Sequence, residues 1–174
     1  MNEFEGRLKG GHPNSLGNAP EIVDEVLKAP EKFGLLFDCY FSDDEVVRLR
    51  VSNAMKRIAK ENLGLLIPWM DRFLNEISEI AQASAQWTLA QLFLMMTDEM
   101  NEGRQEKART ILKRNLTESD DWIVLKTTMD TLGSWSADDA DLQNWLRPHL
   151  ESLKNDTRKA VAGRAQFWIN KYWP

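Results

Sequence analysis

The chain has 174 residues, 43% hydrophobic and 28% charged, which is enough apolar content for a buried core and excludes a disordered protein. Its net charge of −5 argues against a protein that coats nucleic acid by bulk positive charge. The single cysteine, Cys39, excludes an internal disulfide and therefore a disulfide-stapled secreted fold.

The first 18 residues are rich in glycine and asparagine, and the stretch GGHPNSLGN is typical of a loop. We expect residues 1–18 to form a flexible N-terminal arm. The segment lacks the apolar core of a signal peptide, and no run of about 18 apolar residues occurs further along. A cytoplasmic protein without membrane contact is therefore expected.

From Pro20 onward the hydrophobic pattern is helical, and no segment alternates in the manner of a β-strand. Residues that start or stop helices separate the periodic segments, for example Ala-Pro at 29–30 and Ser-Asp-Asp at 42–44 and 119–121. The predicted helices are 20–28, 31–41, 44–61, 65–75, 78–96, 104–115, 120–135, 139–153 and 156–172. The predicted fold class is all-α.

A pattern of apolar and small residues in the helix at 44–61 recurs later in the chain. Shifts of 34, 77 and 111 positions place similar residues of later helices on Val47, Val51, Ala54, Met55 and Ile58. A shorter helix precedes each of the four copies. The sequence therefore predicts about four helical hairpins that stack in a line.

Two of the predicted first helices contain a proline at corresponding places, Pro68 in LLIPWMDRFL and Pro148 in WLRPHLESL. A proline inside a helix removes a backbone hydrogen bond and kinks the helix. Its repetition predicts a built-in bend in the first helix of a hairpin.

These prolines, the aspartate at the turn and the pair Val47-Arg48 at the start of the second helix resemble the HEAT repeats of the armadillo-type superhelix. The resemblance covers about residues 30–172. It implies an α-α superhelix, namely a short HEAT-like solenoid that forms a single domain over 19–174. It also implies a binding surface, but it does not indicate any particular function. In the later units the position that corresponds to Arg48 is occupied by Gln82, Leu125 and Lys159.

No catalytic or metal-binding signature occurs in the sequence. The two histidines, His12 and His149, have no acidic or cysteine partner at ligand spacing, and phosphate-loop, G-x-S-x-G and H-E-x-x-H motifs are absent. The Asp-Asp pairs at 43–44 and 120–121 are best explained as helix caps. We therefore expect no enzyme activity, no cofactor and no metal.

The HEAT resemblance implies that the second helices line a concave face. The residues predicted on that face make it locally basic, with Lys56, Lys60, Lys126, Arg164 and Lys171 against Asp130. Trp87 is the candidate anchor there because binding hot spots favour tryptophan, and core packing of Trp87 is the alternative. The predicted partner-binding groove consists of Asn53, Lys56, Lys60, Gln86, Trp87, Lys126, Asp130, Arg164 and Phe167.

The predicted function is a non-catalytic scaffold that binds a peptide or protein segment on this face. The alternative is a nucleic-acid-binding protein related to the HEAT-like DNA glycosylases, with Asp130 near Trp87 as the candidate pair. The pI of about 5.2 and the short chain argue against that alternative. A HEAT-like lyase acting on a bilin pigment is a third interpretation, which no residue specifically supports.

Overall fold

The computed structural model describes residues 2–12 and 14–174, and this part of the chain is almost entirely helical. Helix accounts for 78% of the structure, and the described residues form no strand. The all-α fold class is therefore confirmed. No helix in the described part is long and apolar enough to cross a membrane.

The chain forms two compact units, Met1–Glu99 and Met100–Pro174. The α-helices described in the first unit are α1 (Glu3–Leu8), α2 (Ala19–Lys28), α3 (Phe33–Asp38), α4 (Glu45–Glu61), α5 (Met70–Asn75) and α6 (Ala83–Met95). Short 3-10 turns occupy Pro30–Lys32, Cys39–Phe41, Leu63–Leu65, Ile67–Trp69, Ile77–Glu79 and Thr97–Glu99. The second unit contains α7 (Glu102–Glu118), α8 (Trp122–Trp135), α9 (Ala140–Leu153) and α10 (Lys159–Tyr172).

Aspartate caps begin two of the predicted second helices. The Asp44 carboxylate accepts a hydrogen bond from the Val46 backbone N–H, and Asp121 accepts from the N–H groups of Ile123 and Val124. Such caps satisfy backbone donors that have no partner within the helix. The interpretation as caps is therefore confirmed for the second aspartate of each pair, Asp44 and Asp121.

Helix α4 lies at the centre of the first unit, where it packs against α2 and α6. Its predicted inward stripe is fully buried and comprises Val47, Val51, Ala54, Met55 and Ile58. An aromatic group formed by Phe37, Tyr40 and Phe73 extends this core toward α3 and α5.

Helix α8 holds the second unit together, because it packs against α7, α9 and α10. Residues Val124, Thr128 and Leu132 of its inward stripe are buried. The Trp168 Nε1 donates a hydrogen bond to the Asp130 carboxylate, and the Tyr172 hydroxyl donates one to the Gly133 carbonyl oxygen. The two contacts follow the same order along both helices, so α8 and α10 run parallel.

The second helices begin at nearly regular intervals along the sequence. Their N-cap residues are 38, 39 and 37 positions apart, at Asp44, Gln82, Asp121 and Arg158. The predicted shift of 77 matches Asp44 with Asp121, but the shifts of 34 and 111 miss the next N-caps by four and three positions. Residues three and four apart share a helix face, so apolar periodicity alone leaves the register uncertain by one turn.

Pro68 and Pro148 do not occupy equivalent positions. Pro68 lies in the 3-10 turn Ile67–Trp69 before α5 begins, whereas Pro148 lies inside α9. At the start of a helical turn the missing proline N–H costs no bond, because that N–H would have no partner. The prediction of a proline inside both first helices is therefore wrong for Pro68.

The segment predicted as a flexible arm differs from that expectation, because it carries α1 with Phe4 and Leu8 fully buried. Met1 and Pro13, which belong to the same predicted arm, lie outside the described residues. Arg50 of α4 is only 2% exposed and holds the segment by donating hydrogen bonds of 2.5–3.2 Å. The acceptors are the backbone carbonyl oxygens of Leu8, Gly10, His12 and Ser15.

This arrangement explains why the glycine- and asparagine-rich composition of residues 1–18 does not indicate a flexible arm. Gly10 and Gly11 each have φ of +75°, a conformation in which glycine is favoured, so the glycines shape a defined loop. The residue that binds the loop is up to 42 positions away in the sequence. Loop composition carries no information about such a partner.

Candidate partner-binding surfaces

The predicted groove residues fall in both units. Asn53, Lys56 and Lys60 lie on α4, and Gln86 and Trp87 lie on α6, within the first unit. The second unit contains the other four, Lys126, Asp130, Arg164 and Phe167.

A cleft of about 490 Å³, which we call the basic cleft, separates α2 from α4. It contains three of the predicted residues together with Arg57, and α2 supplies the opposite wall, which the sequence did not assign to a site. The lining residues are Pro20, Val23, Asp24, Leu27, Asn53, Lys56, Arg57, Lys60 and Glu61.

The cations of the basic cleft lack acidic partners among the described residues. Lys56, Arg57 and Lys60 form no ion pair there, and the Arg57 Nε donates to the Asn53 side-chain oxygen at 2.7 Å. Burial lowers the pKa of Lys56, and the charges of Lys60 and Arg57 lower it further. The cleft therefore holds positive charge that the fold does not neutralise by direct pairing.

Trp87 lines a separate and smaller depression, which we call the tryptophan pocket. Its volume is about 220 Å³, and it lies between the first turns of α4 and α6. The lining residues are Glu45, Val46, Leu49, Gln82, Ala83, Ser84 and Trp87. Trp87 is half-buried, so part of its ring packs against the protein and part faces solvent.

Hydrogen bonds fix the two helices on either side of this pocket. The Arg48 Nε donates to the Gln82 side-chain oxygen at 2.6 Å, and the Gln82 Nε2 donates to the Glu45 carbonyl oxygen at 3.0 Å. The pocket walls are therefore tied together at the N-terminal end of α6. Val46 and Ser84 are not among the predicted site residues. The packing of α4 on α6 brings Val46 to Trp87, whereas Ser84 lies one turn before Trp87 on α6 itself.

Gln86 does not accompany Trp87 on the surface. Its side chain is buried, and its Nε2 donates to the carbonyl oxygens of Ser78 at 3.1 Å and Ile80 at 2.6 Å. Consecutive residues of an α-helix point about 100° apart, so exposure of Trp87 turns Gln86 inward. Gln86 therefore stabilises the turn before α6 and is not accessible to a ligand.

The four groove residues predicted in the second unit lie close together on α8 and α10. The Asp130 carboxylate lies 3.3 Å from the Arg164 Nε and 3.9 Å from the Lys126 Nζ. The Arg164 guanidinium also lies 5.3 Å from the centre of the Phe167 ring, which is 51% exposed. Two cations thus surround one carboxylate beside an exposed aromatic ring.

Trp168 completes this cluster, although it is not among the predicted groove residues. Its Nε1 donates to Asp130 at 3.1 Å, and the ring is 5% exposed. The Tyr172 hydroxyl donates to the Gly133 carbonyl oxygen at 2.5 Å. Asp130 is therefore held by partners on both helices, which makes it a fixed part of the α8–α10 surface.

The remaining candidate groups for chemistry are distributed without a common centre. No cluster of three or more histidine, cysteine, aspartate or glutamate residues in the described part is suited to a metal ion. Burial raises the pKa of the Cys39 thiol to about 11, so the thiol is protonated near neutral pH. His149 packs on Trp145 with ring centres 4.2 Å apart, and burial lowers its pKa.

No protein-family model, curated protein or solved structure matches this chain. The HEAT resemblance therefore stays a prediction, based on the hairpin pattern and on Val47-Arg48 at the start of α4.

Proposed function

We propose that this chain is a non-catalytic interaction module that binds a protein segment through the exposed faces of its second helices, with Trp87 as the anchor. The observation that supports this function is the half-buried Trp87 ring beside Val46 and Leu49 in the tryptophan pocket. Binding hot spots are enriched in tryptophan that packing already holds in place, because little side-chain entropy is then lost on binding.

The size of the pocket favours a single side chain as its occupant. Small-molecule and cofactor sites have volumes of about 300–1,000 Å³. The tryptophan pocket measures about 220 Å³, so an apolar side chain of a partner suits it better than a cofactor does. The exposed Glu45 among the lining residues supplies a carboxylate that can accept from the partner's backbone N–H groups.

The regular N-cap positions of α4, α6, α8 and α10 support the further proposal of an α-α superhelix. In such a solenoid the second helices share one extended face, which is the usual binding surface. The pairing of Asp130 with Arg164 and Lys126 supports a non-catalytic role, because this carboxylate is engaged in ion pairs within its own unit.

Selection of peptides from a random displayed library on the purified chain tests this function. Peptides that carry an apolar residue should be enriched, and Trp87→Ala should weaken their binding about 30-fold or more, which corresponds to about 2 kcal/mol. Trp145→Ala is the matched control, because Trp145 is also half-buried but lies on α9, which is not one of the second helices. It should leave the affinity unchanged.

The circular dichroism spectrum of each variant verifies that it remains folded. Enriched peptides that bind the wild type and Trp87→Ala equally, or a library that yields no enrichment, would overturn the proposed anchor.

A further inference from the structure

Three cations of the basic cleft differ from several other cations of the first unit, such as Lys32 and Arg72, which form ion pairs. Lys32 pairs with Glu3 and Glu25, and Arg72 pairs with Asp38 and Glu76. In the basic cleft, by contrast, Lys56, Arg57 and Lys60 have no ion-pair partner among the described residues. They lie within five consecutive positions of α4, so their charges act on the same volume.

The cleft also contains two carboxylates that do not neutralise the cations directly. Asp24 on α2 and Glu61 at the end of α4 line the same space, and neither forms an ion pair with a described residue. The cleft therefore holds three cations and two carboxylates, with Asp24 on the opposite wall and Glu61 on the same helix as the cations. The lowered pKa of Lys56 has burial as its main cause and the charges of Lys60 and Arg57 as further ones. An incoming anion would offset the repulsion among Lys56, Arg57 and Lys60.

The walls of the cleft indicate which class of anion fits. Pro20, Val23 and Leu27 provide an aliphatic wall, and among the described residues no aromatic side chain lines the cleft for a nucleobase to stack on. Asp24 and Glu61 would repel a backbone that carries a charge at every nucleotide. A peptide suits the cleft better, because its aliphatic side-chain stems match the wall and its backbone N–H groups can donate to Asp24 and Glu61.

We propose that the basic cleft between α2 and α4 binds the carboxylate side chains of an acidic protein segment. The inference deepens the proposed function and rests on it for one point, the apolar anchor at Trp87. Leu49 of the tryptophan pocket and Lys56 of the basic cleft are seven positions apart on α4, about 10 Å along the helix. An extended peptide covers that length in about three residues, so acids should follow or precede the anchor at that spacing.

Titration with acetylated, amidated hexaglutamate at low ionic strength, followed by backbone amide NMR signals, tests the cleft itself. The signals of residues 53–61 should shift, and the neutral peptide hexaglutamine should shift none of them. The double variant Lys56→Gln, Lys60→Gln should weaken hexaglutamate binding at least tenfold. The double variant Lys107→Gln, Lys159→Gln removes the same charge from exposed positions of the second unit and should change the affinity less than twofold.

Three results would overturn the inference. The first is an equal loss of affinity in both double variants, which would indicate bulk electrostatic attraction. The second is hexaglutamate shifts confined to residues outside the cleft. The third is tighter binding in the cleft of the oligonucleotide dT6 than of hexaglutamate, which would favour nucleic acid as the ligand.

Trp87→Ala separates this inference from the proposed function. The substitution lies outside the cleft and should leave hexaglutamate binding unchanged. If hexaglutamate binds in the cleft while no selected peptide depends on Trp87, only the proposed anchor is wrong. If selected peptides depend on Trp87 but contain no acids and tolerate Lys56→Gln with Lys60→Gln, only the acidic-segment inference is wrong.

Discussion

Trp168 packs its indole directly on the backbone of Gly133, where an added Cβ would lie 2.4 Å from the ring atom Cδ2. This contact brings α10 close to α8, and the same indole donates to Asp130. Glycine at position 133 therefore permits a close helix approach that any larger residue would prevent.

Gly133→Ala should destabilise the protein, although alanine is the better helix former. The new methyl group would overlap the buried indole, and overpacking of this kind costs roughly 1–3 kcal/mol. Gly163→Ala is the matched control, because nothing lies within 4 Å of a Cβ at that position of α10. It should stabilise the protein by about 0.5–1 kcal/mol. Urea unfolding of both variants gives the two signs, and a neutral Gly133→Ala would contradict the packing described here.

Arg50→Met should release the N-terminal segment from α4. The substitution leaves four backbone carbonyl oxygens without their donor, including those of Leu8 and Gly10. Losing a buried set of charge-assisted hydrogen bonds should lower the free energy of unfolding by roughly 2–4 kcal/mol. Hydrogen exchange measured by mass spectrometry should become faster than in the wild type in α1, and it should change less in α8.

Arg57→Met controls for loss of an arginine, because Arg57 is exposed on the same helix. Its α1 exchange should equal that of the wild type. Unchanged exchange of α1 in Arg50→Met would show that the segment is held by other contacts.

Asp156 should titrate well below an ordinary aspartate. Hydrogen bonds from the Arg158 side chain and backbone lower its pKa from 3.8 to about 2. Because the folded pKa is depressed, the stabilising contribution is fully present above the unfolded value and is lost as the pH falls through the folded one. Carbon-detected NMR of the Asp156 carboxyl checks the midpoint.

Arg158→Gln should raise that midpoint toward 3.8. Arg147→Gln is the control, because Arg147 lies over Trp173 and should leave the titration of Asp156 unchanged. A wild-type midpoint near the ordinary value would contradict the pairing.

Gln86→Leu should destabilise the first unit without altering the surface around Trp87. The substitution removes the donor to the carbonyl oxygens of Ser78 and Ile80, and unpaired buried polar groups cost about 1–3 kcal/mol. Gln166→Leu, at an exposed position of α10, should change stability by less than about 0.5 kcal/mol. Thermal unfolding compares the two. Equal effects would mean that Gln86 does not support the turn before α6.

The sequence by itself determined most of the helices from α2 onward and the buried stripe of α4, although it did not predict α1. Capping by Asp44 and Asp121 involves residues two or three positions apart, and an apolar stripe repeats within one helical turn. Both signals are local, so they can be read without knowing which helices are neighbours.

Only the tertiary structure decided the partners that are distant in sequence. Arg50 binds carbonyl groups up to 42 positions away, and Trp168 meets Asp130 across 38 positions. The position of α2 as a wall of the basic cleft and the register of α6 relative to α4 also depend on contacts between residues that are distant in sequence. Periodicity defines a helix face only to within a turn, whereas these contacts depend on the packing of one helix against another.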